Sequence, residues 1–105
     1  MGDEFPVDEG AAAKHWYKDR DGATTYMERT LATLRACEWN ADALEEAVRG
    51  LASDLGVGAG KLIHPLRVAL TGQAASPGIF DVLVVLGRKR SLARLENALG
   101  RVRVT

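Results

Sequence analysis

The sequence is poor in the residues that cross-link chains, bind metals or cross membranes. Its 105 residues include one cysteine, Cys37, which excludes a disulfide within the chain. The two histidines, His15 and His64, fit no zinc-binding spacing, so we expect no metal and no other cofactor. No apolar run approaches the roughly 18 residues of a membrane span, and the acidic start does not resemble a secretory signal. We therefore expect a single cytoplasmic domain over residues 1–105 that makes no membrane contact.

Residues that carry catalysis are also sparse. Glu45 and Glu46 are neighbours on a predicted helix, so their carboxylates diverge and are explained as its solvated face. Cys37 has no activating neighbour in the sequence. The pattern therefore predicts no catalytic residues in this chain.

The chain has no net charge, because its 14 basic residues balance 14 acidic residues. The two signs are unevenly distributed, however. Residues 1–60 hold six Lys or Arg against twelve Asp or Glu, whereas residues 61–105 hold eight against two. A basic half favours a polyanionic partner such as RNA. The alternative is that folding interleaves the two halves and cancels their fields.

Apolar residues recur at helical spacing in six segments joined by short links. We predict an all-α bundle of about six helices, with no β-sheet. The helices are expected near residues 11–18, 23–38, 41–55, 60–72, 77–86 and 92–99, between an irregular arm (1–9) and a basic tail (101–105). In the second helix the core-facing residues are predicted to be Met27, Leu31 and Leu34. The predicted punctuation is a turn at residues 19–22, N-caps at Asn40 and Ser91, and terminal glycines at Gly56 and Gly72. The valines of segment 77–86 leave a strand as the alternative there, but Ser76 before Pro77 is a strong helix start.

The segment 60–72 is the one around which the others are expected to pack. Leu62, Leu66 and Leu70 lie on one helical face, and Pro65 is predicted to lie in the first turn. Arg67 stands among these apolar residues. It either reaches the rim, pairs with one of the acids of the first half, or binds an anion or a base.

Three runs in the second half resemble the C-terminal anticodon-binding domain of bacterial-type glutamyl-tRNA synthetases. They are GKLIHPLRVALTG (60–72), SPG (76–78) and VVLGRKRSLARL (84–95). The first half is similar only in outline. The resemblance implies a helical cage that receives the anticodon of glutamate tRNA. The two catalytic signatures of such synthetases are absent, so aminoacylation would belong to a catalytic portion that this sequence does not contain.

The resemblance also implies which residues contact RNA. Arg67 would contact an anticodon base or its phosphate. Ser76, Pro77 and Ile79 would cradle one base, and Ala59 and Gly60 would form the opposite wall. For Ser76-Pro77 the alternative is an ordinary helix cap.

A basic turn near the C-terminus is the other candidate. Arg88, Lys89, Arg90 and Arg94 are predicted to contact phosphates, with a merely solvated turn as the alternative. Lys89 stands where an acid is common in the family, which makes this turn more basic than usual.

A second hypothesis is a protein-interaction domain that keeps the fold and docks on a synthetase or another partner. An open groove with a positive surface lined by Arg67 and Ser76-Pro77 favours RNA, whereas burial of these residues in the core together with an exposed apolar patch elsewhere favours a protein partner.

Overall fold

The computed structural model describes residues 7–73 and 78–103 and is all-α, as predicted. Each predicted helical segment is helical in the structure, and the first of them spans two elements. The observed elements are α1 (Glu9–Ala12), continued by a π-helical turn (Ala13–Tyr17), α2 (Arg20–Arg35), α3 (Ala41–Leu55), α4 (Gly60–Thr71), α5 (Ile79–Leu86) and α6 (Arg88–Arg103).

One hydrophobic core joins these helices. Trp16 and Leu44 have none of their surface exposed. Leu55, Phe80, Leu86 and Leu92, which the helical spacing also predicts to face the core, are only half-buried against it. On α2 the buried residues Met27, Leu31 and Leu34 keep the predicted spacing. Among the described residues, no helix combines the length and the apolar character that a bilayer span requires.

Helix α4 lies at the centre of the bundle and contacts α1, the π-helical turn and all the other α-helices. Leu62, Leu66 and Leu70 are each at most 1% exposed, as predicted. The prediction for Pro65 was wrong: it lies in the second turn, so its ring removes a helical N–H inside the helix. The Pro65 carbonyl accepts the indole N–H of Trp16 at 3.1 Å, which ties the π-helical turn to α4.

Helix α3 begins and ends at the residues that the sequence indicates. The Asn40 side chain accepts the Ala43 N–H at 2.8 Å, as an N-cap does. Gly56 ends the helix in the left-handed conformation, with φ of +70°. Gly50 lies inside the helix with open space on its Cβ side.

The start of α6 differs from the prediction. Ser91 is buried within the helix and its hydroxyl donates to the Leu83 carbonyl at 3.4 Å, so it is not an N-cap. The helix begins instead at Arg88, after Gly87 turns the chain with φ of +83°. It continues to Arg103, so residues 101–103 of the predicted tail are helical because Val102 is fully buried.

Two other helix starts also differ. Asp19–Gly22, predicted as a turn, holds the cap and first turn of α2, because the Asp19 carboxylate accepts the Gly22 N–H at 3.1 Å. Helix α5 begins at Ile79 with Gly78 in the N-cap position, later than predicted. The predicted cap residues Ser76 and Pro77 lie outside the described residues. At the N-terminal arm, Asp8 caps α1 and its N–H donates to the Gly72 carbonyl at 2.7 Å.

Arg88 begins α6, where the helix dipole disfavours a cation, but its guanidinium reaches the C-terminus of α2. Its guanidinium donates to the Arg35 carbonyl at 3.1 Å and to the Cys37 carbonyl at 2.8 Å. It also lies over the Trp39 ring, 5.3 Å from the centroid. Arg88 therefore satisfies carbonyls at the C-terminus of α2, where a cation is favourable.

Two glycines of α3 should respond oppositely to alanine. Gly50→Ala should raise the free energy of unfolding by about 0.5–1 kcal/mol, because alanine costs less backbone entropy in a helix. Gly56→Ala should lower it by about 1–2 kcal/mol, because the left-handed conformation strains an L-residue. Urea denaturation measures both values, and equal effects at the two positions would contradict these conformations.

Arg88→Ala should lower the free energy of unfolding by about 1 kcal/mol, because it leaves two carbonyls at the end of α2 without their donor. Lys89→Ala is the matched control, since Lys89 is exposed beside it. The same denaturation experiment applies, and an unchanged stability in Arg88→Ala would rule out the structural role.

Candidate nucleic-acid interface

Burial of α4 leaves one narrow polar strip along the helix. The strip consists of Lys61, His64, Arg67 and Thr71, which lie three or four residues apart and thus on one face. Lys61 and His64 are exposed, whereas Arg67 and Thr71 are half-buried. Most other α4 residues after Gly60 are buried, so this strip is the part of α4 that a ligand can reach.

An open groove of about 680 Å³ lies beside the strip, between the π-helical turn and the first half of α4. It is lined by three of the four lysines of the chain and by both histidines. These residues are Lys14, Lys18, Lys61, His15 and His64. Ala23, Tyr26 and Pro65 contribute apolar surface, and Gly58 and Gly60 contribute backbone. We call this the lysine–histidine groove.

Asp19 is the acid that lines the same groove, and its carboxylate also caps α2 by accepting the Gly22 N–H. That bond and the positive end of the helix dipole offset part of its charge. Three ammonium groups against one carboxylate give the groove an excess of positive charge. A basic groove with some apolar surface suits a ligand that combines phosphate with a flat base.

The two histidine rings stack, with centroids 5.1 Å apart and planes inclined by 21°. Burial lowers the pKa of His15, and His64, Lys14 and Arg67 lower it further by repulsion. His15 is therefore held neutral under conditions in which a free histidine takes up a proton. An anion in the groove would reverse that balance.

Arg67 continues the strip past the histidines. Its Nη1 lies 3.5 Å from Nδ1 of His64, one helical turn earlier. The side chain is half-buried at the rim rather than in the core. A guanidinium in this position presents a planar set of donors beside the groove.

The predicted wall residues have mixed placements. Ala59 is half-buried at the N-cap of α4, and Gly60 lines the groove. A Cβ at Gly60 would lie 3.4 Å from the His64 ring, an ordinary van der Waals contact, so Gly60 is next to that ring. Ile79 is 2% exposed and supports the core rather than offering an open shelf to a base. The predicted contacts of Ser76 and Pro77 lie outside the described residues and stay predictions.

The basic residues of α6 are not equivalent. Arg88 donates to carbonyls of α2 and its neighbour, as described above. Arg94 donates to the Leu70 carbonyl at 2.5 Å, near the C-terminus of α4. Lys89 and Arg90 are exposed in the first turn of α6.

Sequence reasoning missed the lysine–histidine groove. Lys14, His15 and Lys18 lie in the half with acidic excess, and more than 40 residues separate them from Lys61 and His64. Only the fold brings them together. The spacing Lys14-x-x-x-Lys18, which places two cations on one helical face, was the available signal. Within residues 7–73 and 78–103, no group of three or more potential ligands is arranged to hold a metal ion.

Several proteins of known function are similar to this chain in sequence. Over 96 residues it is 49% identical to glutamate-tRNA ligase 1 of Sphingopyxis alaskensis, covering 91% of this chain and 19% of that protein. It is 46% identical over 94 residues to glutamate-tRNA ligase 2 of Rhizorhabdus wittichii, covering 90% and 19%. The chain thus spans about a fifth of the length of these relatives.

Solved structures share the fold. A glutamate tRNA ligase from Elizabethkingia meningosepticum superposes with a TM-score of 0.86 over 98% of this chain and 20% of that chain, at 24% identity. The glutamate-tRNA synthetase of Elizabethkingia anophelis superposes with a TM-score of 0.79 over 95% and 18%, at 27% identity.

The family model described as "Anticodon binding domain" matches residues 1–99, nearly the whole chain. This match agrees with the all-α fold, with the relatives and with the resemblance in the second half of the sequence. The chain belongs to the family of anticodon-binding domains, and within it to the type that glutamate-tRNA ligases carry.

Proposed function

We propose that this domain binds the anticodon loop of glutamate tRNA, with Arg67 reading a base or its phosphate. The observation that carries the proposal is the placement of Arg67 on the polar strip of α4, 3.5 Å from His64, which lines the basic groove. Anticodon bases are unpaired, so they can be unstacked and recognised by stacking and by donors on their edges. The planar guanidinium of arginine suits that task better than lysine.

Ser76, Pro77, Ala59 and Gly60 complete the proposed site. Ala59 and Gly60 start α4, and Gly78 precedes α5. Helix starts present backbone N–H groups that suit base-edge or phosphate acceptors. In this proposal Ile79 does not contact a base, because its side chain is buried; it holds the start of α5 against the core.

We place the domain in the cytoplasm, as part of or in association with a protein that charges glutamate tRNA. The catalytic portion of such a synthetase would be a partner in this proposal. The support is that the relatives are glutamate-tRNA ligases about five times as long as the matched segment.

A docking function for other proteins has one observation in its favour. Val84 and Val85 on α5 are 43% and 85% exposed. Two valines form a smaller surface than stable protein interfaces bury. Arg67 lies at the rim rather than in the core, so the RNA function is better supported.

Arg67→Ala should weaken binding of a short RNA hairpin with the glutamate anticodon by about 1–3 kcal/mol. It should also reduce the preference over a hairpin with an altered anticodon, because a base-reading donor is lost. Arg67→Lys should keep more of the affinity than of the preference, since it keeps charge without the planar fork. Fluorescence anisotropy measures both.

The control for Arg67 is Arg49→Ala, which removes an equal charge from the exposed side of α3, where Arg49 pairs with Glu45. It should leave the preference between the hairpins unchanged. Equal affinity and equal preference in Arg67→Ala and in the unaltered domain would defeat the assignment of Arg67.

Lys89→Ala and Arg90→Ala together should lower the salt dependence of hairpin binding without altering anticodon preference, because phosphate contacts carry no sequence information. Arg88 is left intact because it holds the end of α2. Affinity is measured between about 50 and 200 mM salt. A slope equal to that of the unaltered domain would remove the first turn of α6 from the interface.

A further inference from the structure

The lysine–histidine groove is not explained by base recognition alone. Three ammonium groups converge on it from two distant segments of a chain whose net charge is zero. Lys14 and Lys18 come from the π-helical turn and the residue after it, and Lys61 comes from α4. Like charges gathered in one place repel each other in the free domain. A bound anion removes that cost.

The size and lining of the groove indicate what kind of anion fits. A volume of about 680 Å³ is that of a site for a small organic group rather than for a single ion. Tyr26, Ala23 and Pro65 contribute apolar surface that a ribose or base can cover. The groove adjoins Arg67 through His64, with 3.5 Å between Nη1 and Nδ1. A phosphodiester next to the nucleotide at Arg67 meets these requirements.

We propose that the groove binds the phosphate–ribose backbone of the RNA through Lys14, Lys18 and Lys61, and that His15, stacked on His64, takes up a proton from solvent when the phosphate binds. The proposal rests on the proposed function for its partner. It assigns to the groove a task separate from base reading: affinity that depends on salt and on pH.

The charges around the histidine pair determine the direction of the pH effect. The π-helical turn that carries His15 also carries Lys14, and Lys18 follows it directly. Helix α4 places Lys61, His64 and Arg67 near His15. Asp19, at the start of α2, is the acid that lines the groove, and its carboxylate caps that helix. On the α1 side, Asp8 caps its own helix and Glu9 is exposed; on the α6 side, Arg101 lies over Trp16.

In the free domain, burial lowers the pKa of His15, and repulsion by His64, Lys14 and Arg67 lowers it further. A phosphate in the groove raises that pKa by attraction. Proton uptake on binding means that affinity increases as the pH falls through the histidine range, between about pH 8 and pH 5. The same lowered pKa makes acid favour the unfolded chain, so folding is monitored by circular dichroism at each pH.

The test uses the hairpin with the glutamate anticodon and measures Kd against salt and pH. Lys18→Ala and Lys61→Ala should each lower the slope of log K against log salt by about 0.7, the value for one single-strand phosphate contact. At about 0.1 M salt each substitution should raise Kd roughly fivefold, because a slope loss of about 0.7 corresponds to about that factor between 1 M and 0.1 M salt. Lys18→Arg and Lys61→Arg should retain the slope, and Arg49→Ala is the matched charge control.

The unaltered domain should bind more tightly at about pH 5.5 than at about pH 8, and the Arg49→Ala control should behave in the same way. His15→Gln should reduce this pH dependence while leaving the salt slope near its original value. Lysine variants with the slope of Arg49→Ala would overturn the groove as a phosphate site. Affinity independent of pH in the unaltered domain would overturn proton uptake.

The failure of this proposal is separable from the failure of the proposed function. A smaller salt slope in the lysine variants, with both hairpins bound equally by the unaltered domain, would support the groove as a phosphate site and contradict anticodon recognition. A preference for the glutamate anticodon, with the salt slope unchanged in the lysine variants, would support the proposed function and contradict the groove as a phosphate site. Absence of hairpin binding by the unaltered domain would overturn both.

Discussion

The burial of α4 is the constraint on which the rest of the structure depends. Its leucines, with Val68 and Ala69, are almost completely removed from water. The Trp16 indole fixes the π-helical turn against it through the Pro65 carbonyl. That bond also determines where His15 lies, since His15 is the residue before Trp16. The Trp16–Pro65 hydrogen bond therefore helps to place His15 of the π-helical turn against His64 of α4.

Charge is used in two ways in this domain. Some cations stabilise the fold: Arg88 and Arg94 donate to carbonyls near the ends of α2 and α4. Two ion pairs, Arg35–Glu96 and Arg103–Glu28, join α2 to α6 across the acidic and basic halves. They lie on the half-exposed surface, so each contributes little. Lys14, Lys18 and Lys61 instead concentrate positive charge in one groove, which agrees with a task in binding rather than in folding.

Helical periodicity and caps predicted most of the fold, because the bundle depends on local patterns. Asn40, Gly56 and Gly72 end or begin helices where the sequence indicates. The start of α6 was not predictable from its own residues, since the donors of Arg88 are satisfied by carbonyls more than 50 residues away. The site shows the same division. Arg67 could be selected from one segment, whereas the His15–His64 stack and its lysines exist only after folding.

The polar strip of α4 and the adjoining lysine–histidine groove together form the proposed RNA-binding surface. The most direct test is a map of backbone amide chemical shifts of the whole domain during titration with the glutamate-anticodon hairpin. The largest changes should fall on Lys61, His64 and Arg67 and on the π-helical turn that faces them. Changes confined to the outer side of α3 or to Val84 and Val85, with the strip unaffected, would contradict the account.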